Sequence, residues 1–281
     1  MGCERLQLFR NNFNIEDFSY GEILELCVLL TKTLRMQINR DHKIFWSWCA
    51  QVALNASIPD NDWSNAFCNL VNLILIKRKS PDIRGPKENF YEIVHQLINS
   101  HVLQIIDNKY EIAAPLSFSV LEGLLRRKKD VSRYVAKDGK VIQQFTLGSK
   151  SYNNGDRINQ MKILFSLRDQ YGNPSSSFFS LKKEIEDIFN NEIRNKGFGN
   201  MYDLVNDWRN EHQHGELYWM NKVPVILNII CLLLFEEIES DNYNGIKDDI
   251  KTRIQFLNDR YASNILHILE RPHWEIYPPD I

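Results

Sequence analysis

The chain has 281 residues, of which 43% are hydrophobic and 25% charged, and its formal net charge is −2. This length allows two domains or one large one, and the composition is typical of a globular protein with ample core. The near-neutral charge excludes a strong overall attraction to nucleic acid, so any basic binding site must be a local patch.

The first quarter of the chain has the apolar spacing of amphipathic helices. One helix is predicted from Ser19 to Ile38, where apolar side chains recur three and four residues apart, and an aromatic-rich one from His42 to Ala56. Asp60 or Asp62 can cap a third helix that runs to about Lys79. We therefore expect a helical N-terminal domain.

A short β-hairpin is predicted after a further helix over Glu88–Ser100. The two apolar runs Val102–Ile106 and Tyr110–Ala113 flank a polar turn at residues 107–109, which is a hairpin pattern. A helix followed by a hairpin also closes a winged-helix motif. Residues 88–130 are therefore a candidate winged-helix part, and a DNA-binding regulator is one alternative function.

A basic cluster ends the helix predicted over Phe118–Arg133. These cations are favoured near a helix C-terminus, and a solvated helix end explains them without a ligand. The alternative is a phosphate-binding patch for RNA. Its candidate residues are Arg126, Arg127, Lys128, Lys129 and Arg133, with Lys77-Arg78-Lys79 as a second candidate contact.

The predicted domain boundary lies in the polar turn Lys137-Asp138-Gly139-Lys140, which divides the chain into residues 1–138 and 139–281. A bundle of four or five helices is expected after it. The predicted helices are Ile158–Tyr171, Phe178–Asn195, Met201 to about His214, an apolar helix from Val223 to near Ser240, and Lys247–Leu269. The fold class is therefore mainly α.

The thirteen-residue apolar run Val223–Phe235 is too short for a bilayer, which needs about 20 apolar residues. We predict a buried core helix and no membrane contact. The five cysteines, which are Cys3, Cys27, Cys49, Cys68 and Cys231, include no C-x-x-C pair. Their odd number and the absence of a secretory signal predict free thiols and a cytoplasmic protein.

The segment Asp207-Trp208-Arg209-Asn210-Glu211-His212-Gln213-His214-Gly215 concentrates the polar chemistry of the chain. Within it, Arg209-Asn210-x-x-x-His214 resembles the arginine–asparagine–histidine signature of the HEPN superfamily, which contains small helical ribonucleases and nucleotide-binding modules. Gly215 can end the helix after the histidine, and a long apolar helix follows, as in that family. The resemblance covers the C-terminal half only and implies a HEPN-like bundle there.

Metal-independent RNA cleavage requires a base for the 2′-hydroxyl, stabilisation of the phosphorane and an acid for the 5′-oxygen. Histidine suits proton transfer because its pKa lies near neutrality. Arginine suits the phosphate because its fork donates two hydrogen bonds and stays charged. The resemblance implies the same roles, with Arg209 and His214 as the catalytic pair and Asn210 as the supporting residue.

Helix geometry predicts a dimer. Asn210 and His214 share a face, whereas Arg209 and His214 are roughly 140° apart around the axis. Two copies of the helix meeting across a two-fold axis would bring both pairs into one cleft. HEPN nucleases typically dimerise in this way, so we expect an isologous homodimer with a composite active site.

The pair His212 and His214 does not predict a metal site. Two positions on a helix separated by one residue point about 200° apart and cannot bind one ion unless the helix ends between them. No cofactor and no metal are expected.

These observations predict an endoribonuclease that acts on RNA and leaves a 2′,3′-cyclic phosphate. The resemblance also implies a role as a toxin or antiviral defence effector, with a neutralising antitoxin or a nucleotidyltransferase as the partner. The alternatives are a non-catalytic HEPN module that binds a nucleotide or a partner, and the winged-helix DNA-binding regulator. In the simplest alternative, the motif has only a structural role, and Arg209 forms an ion pair with Asp207, Glu211 or Glu216 on the surface.

Overall fold

A computed structural model describes residues 18–33, 40–56, 61–75, 109–213 and 222–261. These residues are mainly helical, which confirms the predicted fold class. They form α1 (Tyr20–Thr33), α2 (Arg40–Asn55), α3 (Asn61–Leu75), α4 (Lys109–Arg127), α5 (Lys129–Ser132), β1 (Phe145–Leu147), β2 (Lys150–Tyr152), α6 (Met161–Tyr171), α7 (Ser176–Ile188), α8 (Asn190–Asn195), α9 (Met201–Gln213), α10 (Lys222–Phe235) and α11 (Ser240–Tyr261).

The chain divides into two compact units that are each built from separate stretches of sequence. Within the described residues, the first unit takes 18–20, 40–56, 61–75, 109–116 and 238–261, and the second takes 21–33, 117–213 and 222–237. This division does not coincide with the boundary predicted between residues 138 and 139, because segments from both sides of that point enter each unit.

The first unit is held together by aromatic packing between α2, α3 and α11. Trp48 on α2 lies 6.3 Å from the ring of Tyr243 on α11, and Trp63 stacks on Phe67 within α3. The Tyr243 hydroxyl donates to the carbonyl of Phe18 at 3.1 Å. The helices predicted over 42–56 and from residue 60 or 62 are thus confirmed within the described residues.

The second unit is organised around α10, whose thirteen residues from Val223 to Phe235 are all buried. Asn228, in the middle of this run, donates to the Thr31 hydroxyl of α1 at 2.9 Å, and that hydroxyl donates to the carbonyl of Cys27. The buried amide is therefore hydrogen-bonded, as a polar group in a core must be. The predicted core helix is confirmed, and no helix within the described residues is long and apolar enough to cross a bilayer.

Four of the five cysteines are described, and all four are free and buried: Cys27, Cys49, Cys68 and Cys231. Burial raises the pKa of the Cys27 and Cys68 thiols above the usual value, because the thiolate loses its hydration. This confirms the predicted free thiols at the described positions. Cys3 lies outside the described residues.

The predicted strand Tyr110–Ala113 is wrong, because α4 begins at Lys109 and runs through it. The apolar period of the following residues, three and four apart, extends back to Ala113 and overrides the local preference for a strand. The partner run Val102–Ile106 and the helix Glu88–Ser100 lie outside the described residues. The second strand of the hairpin on which the winged-helix interpretation of residues 88–130 depended is therefore helical, and the rest of that interpretation lies mostly outside the described residues.

The two-stranded sheet forms instead at β1 and β2, which pair in an antiparallel register from Phe145↔Tyr152 to Leu147↔Lys150. The rings of Phe145 and Tyr152 stack at 4.8 Å. Gly148 takes a φ of 57° in the connecting turn, a conformation that glycine adopts without strain.

Several predicted helices have different bounds in the structure. The helix predicted over Phe118–Arg133 breaks at Lys128, whose ψ is 131°. The one over Phe178–Asn195 breaks at Phe189, and the one from Ile158 begins at Met161. The last predicted helix begins seven residues earlier, at Ser240 rather than Lys247.

Candidate active site

The motif lies at the end of α9, a helix whose rotation is fixed by its apolar face. Asn200 accepts hydrogen bonds through its side chain from the backbone N–H of Tyr202 at 2.8 Å, which caps the helix start. The buried side chains follow helical spacing and are Met201, Tyr202, Leu204, Val205 and Trp208. With this face in the core, Arg209 is half-buried and Asn210 is exposed.

Arg209 is held by two described groups. Its Nη2 lies 3.1 Å from Glu122 Oε2 on α4, and its Nη1 donates to the backbone carbonyl of Asn159 at 3.1 Å. The side chain is 22% exposed. A guanidinium has five N–H donors in a fixed plane, and these contacts use two of them. The arrangement orients the fork while its outer edge still reaches solvent.

Glu122 also binds Arg126, which lies one turn further along α4. Arg126 donates to Glu122 Oε1 through Nε at 3.1 Å and Nη2 at 2.5 Å, and Nη2 also donates to the carbonyl of Ile158 at 2.9 Å. The Arg126 side chain is 9% exposed. The two arginines and one carboxylate leave the cluster with one positive charge, so Arg126 neutralises Glu122 and the charge of Arg209 remains for an anion.

His212 lies on the same side of α9 as Arg209, because three residues on a helix nearly complete a turn. Its ring stacks on Phe118 of α4, with centroids 6.4 Å apart and planes at 28°. Phe118 is one turn before Glu122, so adjacent turns of α4 contact Arg209 and His212. Burial lowers the pKa of His212, because the charged imidazolium loses hydration.

A second ion cluster holds the opposite side of α9. Lys196 binds Asp207 at 2.6 Å and also binds Glu211, and Lys222 binds Glu211 at 2.7 Å. Burial opposes ionisation of Glu211, but hydrogen bonds from the two lysines outweigh it and hold its pKa below the usual value. The acidic neighbours of Arg209 in sequence therefore have lysine partners, and Arg209 pairs with the distant Glu122.

The predicted catalytic residues are only partly described. Arg209 and Asn210 lie in the last described turns of α9, with Asn210 in solvent, while His214 lies outside the described residues. Their roles stay predictions.

The five predicted RNA contacts separate into buried and solvated side chains. Arg126 is buried in the Glu122 cluster, and Lys128, which is 5% exposed, binds Glu237 at 2.8 Å and lies 3.7 Å from Glu236. Arg127 is half-buried and donates to the carbonyl of Gly123 in its own helix. Lys129 and Arg133 are exposed. Lys77-Arg78-Lys79 lies outside the described residues.

Sequence reasoning missed Glu122 and the Asn159 carbonyl. The sequence signal for this cluster was the four-residue spacing of Glu122 and Arg126, which indicates an ion pair within one helix. Nothing in the sequence links either residue to Arg209, since that contact depends on how α4 packs beside α9.

Among the described residues, no group of three or more histidine, cysteine, aspartate or glutamate side chains is arranged to hold a metal ion. No protein-family model, no curated protein and no solved structure matches the chain.

Proposed function

We propose that the chain is a metal-independent endoribonuclease of the HEPN type, with Arg209 and His214 as its catalytic pair and Asn210 in support. One observation carries the proposal: the Arg209 guanidinium is held by Glu122 and the Asn159 carbonyl in a cluster with a net positive charge. A pre-oriented, partly desolvated arginine is the group that stabilises a phosphorane, because no reorganisation is needed as charge develops.

In the proposed reaction, the RNA 2′-hydroxyl attacks the adjacent phosphorus. A bond forms between phosphorus and the 2′-oxygen, and the bond to the 5′-oxygen breaks, which leaves a 2′,3′-cyclic phosphate and a 5′-hydroxyl. The proton of the 2′-hydroxyl passes to a base and the 5′-oxygen receives a proton. His214 is assigned to proton transfer and Arg209 to the non-bridging phosphate oxygens.

The test is cleavage of labelled single-stranded RNA in EDTA by the full chain. We expect cleavage by the wild type, loss of it in Arg209→Ala and His214→Ala, and resistance of a substrate with a 2′-deoxy residue at the cut site. Arg194→Ala is the matched control, because this arginine is exposed on α8 and has no assigned role in the reaction. Cleavage by Arg209→Ala at the wild-type rate would overturn the proposal.

The active species is proposed to be an isologous homodimer with a composite site. Its test is complementation: an Arg209→Ala chain mixed with a His214→Ala chain regains cleavage, since one intact arginine and one intact histidine then face each other. Sedimentation must show a dimer under the same conditions. A fully active monomer would contradict the composite site.

On the family resemblance, the biological role is that of a toxin or antiviral defence effector, held by an antitoxin or a nucleotidyltransferase partner. Induced expression should then stop growth of the host cell, and Arg209→Ala should restore it. Equal growth with both chains would contradict a toxic ribonuclease.

A second candidate is a non-catalytic HEPN module that binds a nucleotide or a partner protein. The observation that favours it is the Glu122–Arg209 ion pair, because an arginine held in a structural ion pair needs no catalytic role. A folded dimer that binds RNA or nucleotide and never cleaves would support this candidate.

A further inference from the structure

Residues 134–158 fold into a small ladder that ends beside Arg209. Val135 bridges Val141, and Lys140 bridges Arg157, both in antiparallel fashion. The N–H of Ile158 donates to the carbonyl of Gly139 at 2.8 Å, and this closes the ladder. Lys140 and Arg157 are therefore cross-strand neighbours with a fixed backbone geometry.

The ladder concentrates positive charge in a chain that is nearly neutral. Residues 134–158 contain four lysines and arginines and two aspartates, a net charge of +2, whereas the whole chain carries −2. Lys140 and Arg157 are both exposed. Like charges at directly opposed positions destabilise a ladder, so this pairing costs stability unless an anion lies between the two side chains.

Asp138 offsets the charge of this pair only weakly, because it is exposed to solvent. Asp138 is an exposed partner of Lys140, with its carboxylate 3.7 Å from the ammonium, and exposed pairs of this kind contribute little. Within the described part of the chain, Arg157 makes no ion pair with an acidic side chain. The backbone N–H of Lys140 and then the charges of Lys140 and Arg157 lower the pKa of Asp138, in line with a positive local field.

The ladder is joined directly to the candidate active site. Ile158 accepts a hydrogen bond from Arg126, and Asn159 accepts one from Arg209 at 3.1 Å. Arg157 is two residues before Asn159, so their Cα atoms are at most about 7 Å apart. The backbone bridge of Lys140 and Arg157 therefore lies within two residues of the carbonyl that accepts from Arg209.

We propose that Lys140 and Arg157 bind the backbone phosphates of single-stranded RNA that flank the phosphate at Arg209. This assignment rests on the proposed function and extends it from the reacting group to the path of the strand. Two exposed cations on neighbouring backbone positions, close in the chain to the residue that holds Arg209, suit a polyanion with a repeating charge. Contacts to phosphate position the strand and do not select its sequence.

The experiment measures binding of a short, uncleavable 2′-O-methyl RNA strand to the full chain over a series of salt concentrations. Each phosphate contact on a single strand contributes about 0.7 to the slope of log affinity against log salt. The double variant Lys140→Gln/Arg157→Gln should lower that slope by about 1.4 and weaken binding at low salt, and each single variant should lower it by about 0.7.

The control is Lys183→Gln/Arg194→Gln, which removes one lysine and one arginine from exposed positions on α7 and α8. It makes the same change in net charge and should leave the slope as in the wild type. The Tm of the ladder variants should be unchanged or higher than that of the wild type, since a like-charge contact is removed.

Three results would overturn the inference: no binding by the wild type, an unchanged slope in the ladder variants, or an equal decrease in the control. Another result would contradict the proposed ribonuclease activity without affecting the proposed phosphate contacts. If the wild type binds RNA with the predicted ladder effect yet never cleaves an unmodified strand, the phosphate path stands and the catalytic proposal fails.

Discussion

Glu122 Oε2 lies 3.1 Å from Arg209 Nη2, and the other oxygen of the same carboxylate accepts two hydrogen bonds from Arg126. One carboxylate thus fixes two arginines that come from different helices. Arg126 is the more buried of the two arginines, and we assign its charge to the neutralisation of Glu122. Arg209 is oriented without losing its net charge.

Replacing Glu122 with glutamine tests this orientation. The amide keeps the shape and one acceptor but loses the charge that holds both guanidinium groups. In the proposed ribonuclease we expect kcat to fall about 10- to 100-fold, because a misplaced catalytic group lowers the rate while the substrate still binds. KM should change little, and this split would separate positioning from substrate binding.

Stability gives a readout for Glu122 that does not depend on cleavage. A double-mutant cycle with Glu122→Gln and Arg209→Gln, measured by urea unfolding, should give a coupling energy of about 1 kcal/mol. The same cycle with Glu184→Gln and Lys32→Gln is the control, because Lys32 is 49% exposed and surface pairs contribute less. A coupling energy near zero would mean that the 3.1 Å contact does not orient Arg209.

Gly139 is expected not to tolerate a side chain, because it lies close to the guanidinium of Arg126. Its φ is 86°, and an added Cβ would lie 3.0 Å from Arg126 Nη1 and 3.2 Å from the Ile158 carbonyl. Gly139→Ala should reduce the free energy of unfolding by more than about 1 kcal/mol, through backbone strain and through displacement of the arginine.

Gly155→Ala is the matched control for this glycine. Gly155 has a φ of 93°, and an added Cβ there would meet nothing within 4 Å. Its alanine variant therefore measures the strain alone, and the difference between the two variants measures the contact with Arg126. Equal losses of stability in urea unfolding would show that the closeness of Arg126 has no energetic effect.

The sequence predicts the elements whose local signals agree with their packing. The motif helix begins at Met201 as predicted, because its buried positions Met201, Leu204, Val205 and Trp208 carry the helical period on their own. The strand at Tyr110–Ala113 was predicted wrongly, since a short run with strand-like residues is ambiguous until the packing of the whole helix decides.

The candidate site shows the same limit at the level of side chains. Sequence identifies Arg209 and Asn210 because they are adjacent to each other and close to His214. It identifies a basic cluster at 126–133 but not that Arg126 and Lys128 point into the protein, because residues spaced along one helix end look alike in sequence. The pairing of Glu122 with Arg209 is a tertiary contact without a local signal.

His212 should make stability depend on pH on the acid side of neutrality. Burial lowers its pKa below the usual 6.5, so the unfolded chain binds a proton more readily than the folded one. The folded state keeps its full stability above about pH 6.5. Its free energy of unfolding falls as the pH drops below that value. His212→Phe should reduce this dependence, by at most about 1.4 kcal/mol per pH unit.

Urea unfolding of both chains between pH 7.5 and about 5.5 checks this effect. Phe118→Leu is the companion variant, because it removes the stacked ring and keeps the titrating imidazole in place. It should retain the acid-side slope. If His212→Phe and the wild type lose stability in parallel as the pH falls, the His212 imidazole is not the group that causes the pH dependence.

Glu236 should be one of the most sensitive positions of the second unit. It accepts a hydrogen bond from the Ser175 backbone at 3.0 Å and binds Arg168, whose guanidinium also lies 3.9 Å above the ring of Phe178. Lys128 lies 3.7 Å from the same carboxylate. Arg168 is 2% exposed and Glu236 is 10% exposed, so Glu236→Gln leaves two cations with little water and less negative charge.

We expect Glu236→Gln to lower the free energy of unfolding by about 3 kcal/mol or more, as is usual when one partner of a buried ion pair is removed. The neighbouring Glu237→Gln is the control, because Glu237 is 24% exposed and its ion pair is with Lys128. Its loss should be about 1 kcal/mol or less. If the two variants unfolded at the same urea concentration, the Arg168–Glu236 pair would contribute no more to stability than the Lys128–Glu237 pair, and the prediction would be contradicted.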